Sequence, residues 1–129
     1  MVSQKKMRIV IPTEDDVGLN SRISDHFGRA PYFTIVEIDE QGNVIRIESI
    51  PSKTEHLGGV GKGPDKVLPL GPDAIIVRGM GFRALERFKS AGVKVYRTSA
   101  ITVREAIELL KSGKLEEMFE SYCGENISW

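Results

Sequence analysis

The stretch 73-DAIIVRGMGFRALERFKSAGVKVY-96 decides the fold. Asp73 to Val77 is a nearly continuous apolar run, the pattern of a strand covered on both faces. Gly79 and Gly81 bracket Met80 and end that run. From Phe82 to Ala91 the apolar residues Phe82, Leu85 and Phe88 recur at helical spacing, and Gly92 supplies a stop. Val93 to Tyr96 is strand-like again. A strand, a crossover helix and a second strand in so short a span predict parallel pairing and an α/β protein.

Upstream, Met7 to Thr13 is rich in β-branched residues and predicts a first strand, with Pro12 near its end. The polar stretch that follows has room for a short helix around Ser21 to Phe27. Tyr32 to Ile38 and Val44 to Ile50 are joined by the turn signal Glu40-Gln41-Gly42-Asn43, so they predict an antiparallel hairpin. Gly58, Gly59, Gly61 and Gly63 mark a loop, and Pro64 suits the first position of a short helix that Pro69 and Gly71 close. Thr102 and Glu105 form a capping box for a helix through about Lys111, with Val103, Ala106, Ile107 and Leu110 as its apolar stripe. Beyond Gly113 the chain is acidic and weakly patterned. The whole predicts one domain over residues 1–129, a mixed sheet of five strands flanked by helices, its core at about 7–118 and an acidic tail at 119–129.

Composition narrows the function classes. Hydrophobic residues make up 40% of the 129 and charged residues 28%, which suits a packed core and argues against disorder. Lys plus Arg and Asp plus Glu both total 18, and this zero net charge argues against nucleic-acid or membrane-surface partners. No apolar run approaches the ~20 residues that span a bilayer. The basic N-terminus lacks the apolar length of a signal peptide, so the expected location is the cytoplasm. Cys123 is the single cysteine, which excludes an internal disulfide and a cysteine-built metal site.

Ligands of open α/β sheets bind beyond the carboxyl ends of the parallel strands. If the first, fourth and fifth strands are parallel, three loops meet there: Glu14 to Ser24, Arg78 to Gly81, and Thr98 to Ala100. Helix N-termini and glycine-rich backbone attract anions, and Arg78 with Arg29 or Arg97 adds positive charge. The implied ligand is therefore a modest anion, over which the loop of Gly58, Gly59 and Gly61 can close. That loop lacks the Lys and Ser/Thr of a phosphate-binding loop, and it does not fit a dinucleotide fingerprint. His26 and His56 are the only histidines. A lone histidine is more often a turn or surface residue than a ligand. His26, however, is preceded by Asp25, a residue type that can orient an imidazole, and imidazole is a suitable ligand for iron. Cys123, in a Tyr-Cys-Gly tail, is a secondary thiol candidate.

The runs Arg8-Ile9-Val10-Ile11-Pro12-Thr13 and Ser24-Asp25-His26-Phe27-Gly28-Arg29-Ala30-Pro31-Tyr32-Phe33 carry a resemblance. It continues through Gly58-Gly59-Val60-Gly61, Ala74 to Met80, Ala91 to Tyr96 and Thr102 to Ala106. Together these resemble the dinitrogenase iron–molybdenum cofactor biosynthesis family, which includes the NifX and NafY carriers and the C-terminal domain of NifB. The resemblance implies a three-layer α/β/α ribonuclease H-like fold with a five-stranded mixed sheet. It also implies non-enzymatic carriage of an anionic iron–sulfur or iron–molybdenum-type cluster, exchanged with donor or acceptor proteins. By motif match His26 becomes the metal ligand; His56 and Cys123 are secondary candidates from their residue type alone. Arg29, Gly58, Gly59, Gly61, Arg78, Gly79, Met80 and Gly81 form the surrounding cargo site.

Two other readings compete. A two-metal nuclease needs carboxylates clustered at strand ends. The first strand has none, and Asp73 stands at the opposite edge from the expected site. A small-anion or regulatory module acting through a protein partner would use the same loops as the carrier.

Overall fold

The computed structural model describes residues 6–52 and 63–118. The loop glycines Gly58, Gly59 and Gly61, with His56 and Cys123, lie outside the described residues.

The elements follow in the order β1 (Met7–Thr13), β2 (Tyr32–Ile38), β3 (Val44–Pro51), α1 (Gly63–Val67), β4 (Ala74–Val77), α2 (Phe82–Ser90), β5 (Lys94–Arg97), α3 (Val103–Lys111) and β6 (Glu116–Glu117). They build one mixed sheet in the order β3-β2-β1-β4-β5-β6. β2 is antiparallel to both β1 and β3, with Val10 opposite Ile35 and Ile35 opposite Glu48. β1, β4 and β5 are parallel, with Ile9 beside Ala74 and Ile75 beside Val95. Their carboxyl ends therefore share one rim, as the 73–96 pattern predicts.

The sheet has six strands rather than the expected five. The extra one is β6, where Glu116 and Glu117 pair antiparallel with Arg97 and Tyr96. Met118 fastens it: its N–H donates to the Val95 carbonyl at 2.7 Å and its side chain is buried. Two acidic residues carry no strand pattern, so burial of the next side chain creates this strand, not propensity.

Period-two alternation sorts the core to both sheet faces. Val10, Phe33, Ile35, Ile75, Val77 and Val95 pack under α1 and α2 with Val67, Leu85 and Phe88. Ile9, Ile11, Val36, Ile38, Ala74 and Ile76 pack under α3 with Val103, Ala106 and Ile107. All four β4 residues are buried, which explains the unbroken apolar run. Phe82 departs from the expected helix stripe. It is the first residue of α2, beyond the sheet's cover, and is 52% exposed.

The helix expected over Ser21 to Phe27 does not form. Ser21 has an extended backbone after a short 3-10 turn at Gly18–Asn20. The N–H groups of Arg22, Ile23 and Ser24 donate to the Asp15 carboxylate, the Ile101 carbonyl and the Pro12 carbonyl. With its donors satisfied on both flanks and Ile23 buried, the segment gains nothing from helical bonding.

Candidate functional site

The three predicted loops and the residues that flank them are stitched together by hydrogen bonds. Phe27 N–H donates to the Gly79 carbonyl at 3.1 Å, Ile23 N–H to Ile101 at 2.8 Å, and Val103 N–H to Ser21 at 3.0 Å. Arg22 of the first loop and Thr102, the N-cap of α3 just past the third, form an antiparallel bridge.

Phe27 anchors the turn that carries His26. It begins a 3-10 turn, Phe27–Arg29, and only 3% of its surface is exposed. Its ring meets Phe88 edge-on, with centroids 5.5 Å apart, and lies tilted on Phe33 at 5.6 Å. Such aromatic pairs add to plain apolar burial. With Phe27 driven into the core, the adjacent His26, Gly28 and Arg29 are left exposed on the rim. The anchor went unread in the sequence; an isolated aromatic within a polar run was its signal.

His26 faces a polar cleft of about 550 Å³ shared with Glu14, Asp15, Arg22, Asp25 and Arg29. The carboxylates there accept hydrogen bonds: Glu14 from Ser24 Oγ at 2.6 Å, Asp15 from Arg22 N–H at 3.1 Å, and Asp25 from Arg78 Nε at 3.1 Å. Three acids against two arginines make this cleft mixed in charge.

Arg78 is engaged within the protein itself. One terminal nitrogen donates to the carbonyls of Ser99 and Ala100, each at 2.7 Å, while Nε holds Asp25. A planar guanidinium offers this fork, and a lysine ammonium does not. Arg78 thus ties the end of β4 to the other two loops. Its partner Asp25, the predicted orienter of His26, is held by that guanidinium.

Gly79 is buried and lends its carbonyl to Phe27, and Gly81 is the N-cap of α2. Met80 is 1% exposed and belongs to the core beneath α2, so it offers the rim no surface. At the far side of the rim, Thr102 and Glu105 complete their capping box. The backbone N–H of Thr102, then that of Ile101, holds the Glu105 carboxyl below the usual carboxylate range. Among the described residues, no three His, Cys, Asp or Glu side chains group closely enough to hold a metal ion. No described helix is long and apolar enough to cross a membrane.

Residues 5–113 match the family model described as dinitrogenase iron-molybdenum cofactor. The chain belongs to this family. It is 36% identical over 115 residues to an uncharacterized protein of Methanocaldococcus jannaschii, covering 88% of this chain and 92% of that one. A provisionally named NifB protein from Thermotoga is 36% identical, with a TM-score of 0.65 and coverage of 93% of this chain and 99% of its own. The apo orange protein of Desulfovibrio gigas shares the fold at a TM-score of 0.72 and 21% identity, with 92% of this chain and 98% of its own covered.

Proposed function

We propose that this family member binds and carries an anionic iron–sulfur or iron–molybdenum-type cluster, without catalysing a reaction, and that His26 is its protein ligand. The observation that carries the reading is the placing of His26. It stands exposed on the common rim of the parallel strands, on a turn pinned by buried Phe27, beside exposed Arg29. A ligand on so rigid a base meets its cargo with little loss of conformational freedom. The family description and the likeness to a NifB-named protein support the cluster as cargo. The order β3-β2-β1-β4-β5, with β2 antiparallel to its neighbours, supports a ribonuclease H-like reading of the fold. The carrier works in the cytoplasm, takes its cluster from a donor protein and yields it to an acceptor. Gly58, Gly59 and Gly61 contribute backbone to the cargo site, and His56 and Cys123 are its secondary ligand candidates.

Anaerobic incubation with isolated iron–molybdenum cofactor, then desalting and an absorbance spectrum, tests the reading. Wild-type protein retains the cluster chromophore. His26→Ala loses most of it while keeping its far-UV circular dichroism. Colourless wild-type protein after desalting would sink the carrier reading. Colour fully retained by His26→Ala would remove His26 as the ligand.

A further inference from the structure

A second cleft, of about 610 Å³, adjoins the Phe27–Arg29 turn, whose three residues all line it. Arg29 lines both this cleft and the His26 cleft. The two differ in charge. The charged residues of the second cleft are Arg29 and Lys66, and no carboxylate lines it among the described residues. Asp65, the neighbouring acid, is paired with Arg87 at 3.0 Å. The Arg29 guanidinium has no partner among the described residues. Lys66 Nζ donates to the Ser52 carbonyl at 3.3 Å, which leaves further donors on the ammonium. The remaining wall is largely apolar, with Phe27, Phe33 and Gly63 among its residues.

Gly28 supplies an independent observation. A residue is held to glycine when φ is positive or when a Cβ has no room. Gly63 meets the second condition, since a Cβ there would stand 2.5 Å from a Phe27 ring carbon. Gly28 meets neither. Its φ lies outside the left-handed range, and a Cβ would have nothing within 4 Å. It lines the cleft beside Arg29, and a Cβ there would stand in open space.

We infer that the Arg29–Lys66 cleft is an anion site, kept open by Gly28, that receives the negatively charged face of a ligand larger than a single oxyanion. The identity of that ligand as cluster cargo rests on the function proposed above; the anion site does not. Two cations that face no carboxylate among the described residues, over an apolar wall, favour a multiply charged anion. The volume falls within the range of small-ligand pockets.

Sulfate is the probe, titrated into the ¹⁵N-labelled full chain against chloride at constant ionic strength. The expected result is a saturable shift of amides at 28–33 and 63–67. Arg29→Ala and Lys66→Ala each weaken the apparent affinity by about tenfold. Gly28→Ala weakens it severalfold while leaving the thermal midpoint unchanged or higher. Arg46→Ala, which removes an exposed β3 cation paired with Glu48, leaves it intact. The inference is overturned if sulfate gives no saturable shift beyond chloride, or if both cation variants bind as wild type. Sulfate bound in this cleft by a protein that takes up no cluster would uphold the anion site and defeat the carrier reading. Cluster uptake with no sulfate site would do the reverse.

Discussion

At the scale of single residues, a hydroxyl relay crosses the sheet. Thr13 Oγ1 lies 2.9 Å from the Asp15 carbonyl and 2.9 Å from Thr34 Oγ1, which lies 2.9 Å from Ser49 Oγ. A carbonyl only accepts, so Thr13 must donate to Asp15. Thr34 must then donate to Thr13, and Ser49 to Thr34. Thr13 and Thr34 are fully buried, so each missing partner is felt. Thr34→Val keeps the shape but strands the Ser49 hydroxyl and should cost about 1 kcal/mol in a urea titration. Arg78 is the corresponding residue at the rim. Arg78→Lys keeps the charge and loses the fork that spans Ser99, Ala100 and Asp25. Faster amide exchange at Ile23 and Val103, with unchanged protection at Ile9 to Ile11, is the expected result. Full protection at Ile23 would show that the backbone bonds alone hold the loops. The presence of Arg78 at the rim was legible in the sequence. Its commitment to two carbonyls was not, because such partners depend on how distant loops meet.

At the scale of elements, α3 was read nearly residue for residue, because Thr102 and Glu105 act locally. Thr102 Oγ1 accepts the Glu105 N–H, and the Glu105 carboxylate accepts the Thr102 N–H at 3.1 Å. Thr102→Ala should cost about 1 kcal/mol. Glu105 also sets a pH dependence. Its folded pKa is depressed by the backbone N–H donors of Thr102 and Ile101. The stabilisation is thus fully present above the unfolded-state pKa and is lost as pH falls through the folded one. Arg8 acts likewise on Glu37, chiefly by its hydrogen bond, so both carboxyls add to an acid-side decline below about pH 4.3. Glu105→Ala should flatten that decline in thermal melts between pH 3 and 5 relative to wild type; an unchanged slope would discount the cap's charge. β6 and the Ser21–Phe27 segment were misread for the opposite reason. Their conformations come from Met118 burial and from donors spent on Asp15, Ile101 and Pro12, and no local pattern records either.

At the scale of the whole molecule, the sheet is a wall shared by two cores, and the His26 turn is anchored in one of them through Phe27. Phe88, on the buried face of α2, is fully buried and touches Phe27, the anchor of the His26 turn. Ile107 is 3% exposed and lies in the core under α3. The element order made the meeting of the loops legible, since parallel strands must end together. It did not record which core grips the His26 turn, because Phe27 sits among polar residues. Substitution separates the two roles. Phe88→Ala should cost about 3–5 kcal/mol and Ile107→Ala about 2–5 kcal/mol, each measured by urea denaturation. Both should unfold in one transition with the wild-type m-value, because neither core persists once their common strands separate. The rim should respond differently. Phe88→Ala removes the edge-on ring contact that seats Phe27, so amide resonances at His26, Gly28 and Arg29 should move well beyond their response to Ile107→Ala. Equal shifts from the two variants would mean that the turn is held by its backbone bond to Gly79 and not by the aromatic anchor. A biphasic urea curve for either variant would mean that the two faces fold separately. The strand pairing argues against that, since β1 and β4 contribute alternate residues to both cores.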